Sequence, residues 1–389
     1  MGHGLRLVGG DEDTVKIGIT CYPTYGGSGA VATELGIALA ARGWEVHFIT
    51  YQPPFRLPEY LPRVYFHEVD VGRYPLFQYP PYDLALAVRM HQVVIEQGLE
   101  ILHVHYAIPH ATSAWIAREM LREQQRDVRV ITTLHGTDIT LVGQEHSFHA
   151  ITKFSIEKSD RITAVSQYLK DETIRAFGCA GHAVDVIPNF IDPQVYDRDR
   201  WRGGLHDSFG HGAPVLMHIS NFRPVKRVTD VIRTFARVRA GGDARLIMVG
   251  DGPDRTAAEE EARALGVHQD VQFLGRIENV APLLSAADLF LLPSESESFG
   301  LSALEALACS VPVIASEVGG LPEVVRHGET GFLAPLGDTE AMAAAARRLL
   351  DDPALRRTMG AAAAADARAR FSLEAIVAEY ERLYADAVR

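Results

Sequence analysis

Short apolar runs alternate with amphipathic stretches of helical period along most of this chain, and they do so in two separate series. In the first, strands are expected at 15–21, 46–51, 101–105, 130–134, 161–164 and 184–187, with an edge strand at 64–69 inside a Pro- and aromatic-rich loop, 52–82. Helices are expected between them at 30–42, 84–97, 111–124, 149–158 and 167–176. A polar, charged stretch at 192–211 breaks the pattern and reads as a linker. The second series has strands at 215–219, 244–249, 271–274, 289–292, 311–315 and 331–333. Its helices are expected at 228–239, 254–265, 280–285, 300–308, 321–325, 339–351, 354–370 and 373–388. Strands that alternate with helices need crossover connections, which make the strands parallel and put helices on both sheet faces. The fold class expected is therefore α/β, as two doubly wound, Rossmann-like parallel-sheet domains facing a cleft, with ligands at the carboxyl ends of strands. The expected limits are a flexible leader at 1–14, a first domain at 15–191, the linker at 192–211, a second domain at 212–370, and a C-terminal helix at 371–389 packing back on the first domain.

The length of 389 residues fits two cores better than one. A formal net charge of -12 argues against generic nucleic-acid binding, which needs a basic footprint, and weakens docking to an anionic membrane. No apolar run approaches the roughly 18 residues of a spanning helix, so no stable membrane insertion is expected. The three cysteines, Cys21, Cys179 and Cys309, are far apart and lack both a disulfide framework and metal-type spacing. A reducing, cytoplasmic setting is the simplest reading. Composition leaves homo-oligomerisation open.

The chemistry-bearing segments each follow an expected strand. Residues 293–306 read P-S-E-S-E-S-F-G-L-S-A-L-E-A, a polar loop with Glu297 that turns at Phe299-Gly300 into a helix carrying Glu305. The free N–H groups and dipole of a helix start favour an anion. Glu297 can accept hydrogen bonds from sugar hydroxyls. Glu305 lies roughly 12 Å away at 1.5 Å per residue of helix, within reach of a ribose. A nucleotide diphosphate-sugar fits between them. Asn221-Phe222-Arg223-Pro224-Val225-Lys226-Arg227 supplies cations that would neutralise a leaving diphosphate; taken alone it reads equally as a solvated basic turn. Gly250 closes another strand and offers backbone contact, and Arg276 ends the next, where a base edge could be read.

In the first series, Tyr25-Gly26-Gly27-Ser28-Gly29 precedes a helix. Its glycines suit phosphate or acceptor contact. A dinucleotide reading is weak, because the second strand ends in Thr50-Tyr51-Gln52 without an acid. His103, His105 and His110 cluster near the third strand's end, where lining a polar cleft is favoured over metal ligation and core packing over both for any one of them. His135-Gly136-Thr137-Asp138 brings three polar types to a strand's end, against a plain helix cap as the alternative. Asp197-Arg198-Asp199 has the form of a D-x-D metal motif but falls in the linker and reads as solvated charge.

The block Glu297-Ser298-Phe299-Gly300-Leu301 with Glu305, the opening Gly26-Gly27 and the Arg/Lys loop together resemble the retaining family 4 glycosyltransferases of the GT-B fold, over nearly the whole chain. The segments Y-P-T-Y-G-G-S-G at 22–29, H-Y-A-I-P-H-A at 105–111, H-G-T-D-I-T at 135–140, F-S-I-E-K-S-D at 154–160 and I-S-N-F-R-P-V-K at 219–226 narrow it to members that use L-malate in bacillithiol biosynthesis. The resemblance implies transfer of N-acetylglucosamine from UDP-N-acetylglucosamine to the malate hydroxyl, with retention. The UDP-sugar is then a substrate, and neither cofactor nor metal is expected. The first domain would bind the acceptor and the second the nucleotide-sugar. Catalytic roles fall on His135, Arg223, Lys226 and Glu297. Donor contacts fall on Gly27, Asn221, Gly250, Arg276, Ser298, Phe299, Gly300, Leu301 and Glu305, and acceptor contacts on Ser28, Tyr106, Thr137 and Lys153. Many members carry an arginine five residues before this lysine, where this chain has Asn221; Arg223 is the candidate substitute. No second carboxylate is placed as a nucleophile, so same-face attack is expected, with the leaving phosphate helping to take the acceptor proton. The alternatives are another family 4 acceptor (inositol phosphate, lipid or glycan), a UDP-N-acetylglucosamine epimerase, and a nucleotide-sugar-binding regulator without turnover.

Overall fold

The computed structural model describes residues 15–72, 79–179, 184–201, 203 and 205–389; the leader expected at 1–14 lies outside them. The chain forms two compact units, Met1–Ala164 with Glu172–Asp185 and Glu379–Arg389, and Val165–Asp171 with Val186–Ala378.

The first unit is built on seven strands: β1 (Lys16–Thr20), β2 (Glu45–Thr50), β3 (Val64–Glu68), β4 (Ile101–His105), β5 (Arg129–Leu134), β6 (Arg161–Ala164) and β7 (Val184–Val186). Their order is β3-β2-β1-β4-β5-β6-β7. The order reverses between β1 and β4, which pair in parallel from Ile17 opposite Ile101 to Thr20 opposite Val104. Strands covered on both faces read as near-continuous apolar runs; all five residues of β4 are buried, and its two histidines find partners inside, His103 at Thr133 and His105 at His135. Helix Tyr82–Gln97 puts Leu86, Met90, Val93 and Val94 into one core with Leu102 and Val104 of β4, and stops at Gly98 in the left-handed conformation. The last helix, Leu373–Val388, contributes its end to this unit. There Tyr384 Oη lies 2.8 Å from His103 Nδ1, and Glu381 accepts from Arg42 at 2.7 Å and from the Trp44 indole at 3.1 Å.

The second unit repeats the design with β8 (Val215–Ile219), β9 (Arg245–Val249), β10 (Val271–Gly275), β11 (Leu289–Leu292), β12 (Val313–Ser316) and β13 (Gly331–Ala334), ordered β10-β9-β8-β11-β12-β13. Every residue of β8 and β11 is buried. Helix Val228–Ala240 buries Val228, Val231, Ile232, Phe235 and Val238, an i, i+3, i+4 stripe facing the sheet. Asp338 and Asp352 cap the helices Thr339–Asp351 and Pro353–Phe371 by accepting backbone N–H bonds. The alanine run at 361–365 lies inside the second of these. Extended Ser372 then separates it from the last helix, and Ile191 bridges to Ser372.

Three local expectations change. The first helix begins at Gly27, three residues early, because the glycine turn is itself the first helical turn. A Cβ on Gly29 would lie 2.6 Å from the Tyr22 carbonyl oxygen, so the close approach of helix to strand end requires glycine. The helix expected at 111–124 is a wide turn, Ala107–Ala111, followed by Thr112–Arg122. The linker is not free chain: it holds helix Leu205–Gly210, and Arg198 donates to the carbonyls of Ser285 (3.1 Å) and Ala287. Arg198 is thus an anchor rather than solvated charge, while Asp197 sits 3.6 Å from Arg368. Among the described residues no helix is long and apolar enough to cross a membrane.

Candidate active site

In the second sheet β8 and β11 are neighbours where the strand order reverses, so the segments leaving their carboxyl ends, 220–227 and 293–300, meet. The Glu295 N–H donates to the Val225 carbonyl at 2.8 Å and ties them together. Lys226 Nζ stands 2.5 Å from Glu297 Oε1, which also accepts from Ser294 Oγ at 2.9 Å. Both charges are largely shielded from solvent, at 20% and 12% side-chain exposure, so the pair interacts more strongly than a surface pair. Next to it, helix Leu301–Ala308 starts after Gly300. The amides of Phe299, Gly300 and Leu301 have no acceptor among the described residues. A cation, an acceptor and a bare helix start therefore share one place.

Behind them Glu305 is 6% exposed and accepts from Tyr196 Oη at 2.6 Å. The segment after β12 braces the loop, where the Gly320 N–H donates to the Glu297 carbonyl at 2.8 Å. At Gly319 (φ 56°) a Cβ would lie 2.0 Å from that same oxygen. The β8 end is held by buried His218, whose Nδ1–H donates to the Leu291 carbonyl while Nε2 accepts from Ser220 Oγ, both at 2.8 Å. Burial pushes His218 down to about 4, so it stays neutral. Gly250 donates to the Gly275 carbonyl at 2.7 Å. Arg223 and Arg276 are exposed, with guanidinium groups unengaged among the described residues. Asn221 is half-buried, and its side-chain oxygen is buried without a partner.

In the first unit, the loops after β1, β4 and β5 converge. Tyr106 Oη donates to Ser28 Oγ at 3.1 Å, and its ring lies 5.3 Å from that of His135 and 5.2 Å from that of Tyr22. Thr137 lies beside the Tyr106 phenol. Asp138 staples two loops: one oxygen accepts from Ala107 N (3.0 Å), the other from Gly136 N (2.9 Å) and His135 N (3.3 Å). Burial pushes its carboxyl pKa up, against the pull of those N–H bonds. His135 Nε2 lies 2.7 Å from His105 Nδ1. Burial pushes His103 and His135 down to about 3 and His110 to about 4.

Of the residues singled out from sequence, Lys226 and Glu297 are brought together, and so are Ser28, Tyr106, Thr137 and His135. Lys153 is not joined to that group; it lies on helix His146–Glu157 with its ammonium 3.8 Å from Glu157. Gly27 is exposed at the start of its helix. His103, His105 and His110 are all fully buried rather than lining a cleft, and no metal-binding cluster occurs among the described residues. Asp138 serves the loop backbone. Sequence reasoning missed Tyr196, Ser294, His218, His105 as a partner of His135, and the Gly319-Gly320 brace. Ser294 lay inside a motif already in hand. Tyr196 sat in a presumed linker and gave no signal.

Residues 25–195 match the family model described as Glycosyltransferase Family 4, and residues 207–366 match Glycosyl transferases group 1. The chain is 49% identical to the N-acetyl-alpha-D-glucosaminyl L-malate synthase of Bacillus anthracis, over 96% of this chain and 98% of that one. Among solved structures it resembles sucrose-phosphate synthase from Thermosynechococcus elongatus, with a TM-score of 0.78, 25% identity, and 96% and 98% of the two chains covered. Anabaena HepE in complex with UDP-glucose has the same fold, with a TM-score of 0.79, 22% identity, and 95% and 99% covered. The chain belongs to the family 4 glycosyltransferases.

Proposed function

We propose that this protein transfers N-acetylglucosamine from UDP-N-acetylglucosamine to the hydroxyl of L-malate with retention at the anomeric carbon, the first step of bacillithiol biosynthesis. The observation that carries the reading is the Lys226–Glu297 pair beside the bare amides of Phe299, Gly300 and Leu301, in a chain 49% identical to a protein named for that product. In this reading the diphosphate draws Lys226 and the free guanidinium of Arg223, and the helix start takes the remaining charge as it builds on the leaving oxygens. Glu297 then accepts from the sugar hydroxyls. Glu305, oriented by Tyr196, holds the ribose, and Arg276 flanks the uracil with backbone support from Asn221 and Gly250.

The acceptor belongs to Ser28, Tyr106 and Thr137, with Lys153 as an outlying contributor; Gly27 is assigned to the donor and His135 to catalysis. Attack comes from the same face as departure, and a phosphate oxygen takes the malate proton as the UDP leaves. Lys226, Arg223 and the helix start supply the positive charge, so the reaction runs without metal, and activity in excess EDTA is expected to equal that in magnesium. Three unpaired, buried cysteines fit a cytoplasmic enzyme. The test is incubation of UDP-N-acetylglucosamine with malate, inositol phosphate, a glycan acceptor or none, read by mass spectrometry. A product of N-acetylglucosamine plus malate less water supports the reading. Product from inositol phosphate alone, or turnover without acceptor, overturns it.

A further inference from the structure

The buried histidines of the first unit are ordered by what each nitrogen faces. His110 Nδ1 lies 2.5 Å from the His105 carbonyl oxygen, and a carbonyl can only accept. His110 therefore carries its proton on Nδ1, and its Nε2 is a bare lone pair, buried without a partner. His105 shows the same pattern one step on. Its Nδ1 is 2.7 Å from His135 Nε2, and its own Nε2 is buried without a partner. One of the two facing nitrogens must donate. If His135 Nε2 carried the proton, a neutral His105 would hold its own on Nε2, as an orphaned N–H in the core. Orphaned buried N–H groups are rarer than under-used acceptors, and His110 shows that this core tolerates a bare Nε2.

We infer that His105 is a positioning residue: its Nδ1–H donates to His135 Nε2, which fixes His135 as the Nδ1–H tautomer and leaves that N–H as the group offered to a ligand. His135 is half-buried, and the hydrogen bond described for its ring runs through Nε2, not Nδ1. His135 is then a neutral hydrogen-bond donor. Its Nε2 is occupied and does not act as the general base. Burial, with His103 and His110 nearby, disfavours the charged form of His105 and keeps the pair neutral. This deepens the reading above and rests on it only for the ligand that His135 meets.

The test is nitrogen-15 NMR of the full-length protein labelled at histidine, with His135 assigned by its loss in His135→Gln. In the wild type at pH 7 the His135 resonances are expected to be those of the Nδ1–H tautomer. An Nε2–H pattern overturns the inference, whatever the enzyme turns over. His105→Asn keeps a donor close to the place of Nδ1 and is expected to keep the tautomer and most of kcat. His105→Phe is expected to lose the tautomer preference and to lower kcat at least tenfold, with the donor KM changed less than twofold. Equal kinetics in the two variants contradict a positioning role. Failure to form the malate glycoside with an Nδ1–H His135 sinks the functional reading and leaves this one standing.

Discussion

At the scale of single residues, the site rests on charges placed where water cannot fully screen them. Lys226 and Glu297 neutralise each other at 2.5 Å, so replacing one leaves the other charged, poorly solvated and mispositioned. Lys226→Met is expected to lower kcat about 100- to 1,000-fold, the effect of removing one pre-positioned donor from a developing anion. Steady-state UDP release measures it, and a loss below tenfold contradicts the role. Tyr196 was invisible in the sequence, yet its hydroxyl sits 2.6 Å from Glu305. Tyr196→Phe removes one donor from a buried carboxylate and is expected to weaken UDP binding about tenfold, or about 1.4 kcal/mol, read by calorimetry. Lys226, Glu297 and Glu305 could be singled out because their segments each follow an apolar strand, at 215–219 and 289–292. Tyr196 was not, because a lone tyrosine in a polar stretch carries no spacing that points to its partner.

At the scale of elements, the loops depend on contacts from chain far away in sequence. The Glu297 loop is braced by Gly319 and Gly320, and a Cβ on Gly319 would lie 2.0 Å from the Glu297 carbonyl oxygen. Gly319→Ala is expected to move that carbonyl and to raise the donor KM several-fold. Gly328 also has a positive φ, 81°, but open space where its Cβ would go. Gly328→Ala should therefore cost only backbone strain, about 1–2 kcal/mol, with the donor KM unchanged. The KM of both variants checks this, and equal effects contradict the brace. Strand positions were read well from sequence because strands covered on both faces admit little but apolar residues, as Leu289–Leu292 illustrates. Helix starts were read less well. At Gly27 a tertiary contact, the approach of Gly29 to the Tyr22 carbonyl, set the boundary in place of local propensity. Asp138 was misjudged for a related reason: its three N–H donors come partly from the loop after β4, which only the fold brings near.

At the scale of the whole molecule, two doubly wound sheets put their reversal points at β1/β4 and β8/β11, and the informative loops leave those strands. The same burial that makes these sheets stable sets an acid limit. His103, His110 and His135 have folded-state values of about 3, 4 and 3, below the ordinary 6.5. As pH falls the unfolded chain binds their protons first, so stability is complete above about 6.5 and is lost progressively toward 3 to 4. The thermal midpoint is expected to be level from pH 8 to 7 and to fall steeply between pH 6.5 and 4; a level midpoint down to pH 4.5 contradicts neutral burial of these rings. The central claim concerns chemistry, and one measurement meets it directly: UDP release with and without L-malate, with the anomeric configuration of the product read by proton NMR. The account requires release that depends on malate and an α-configured N-acetylglucosaminyl malate. Release indifferent to malate, or a β-configured product, would contradict it.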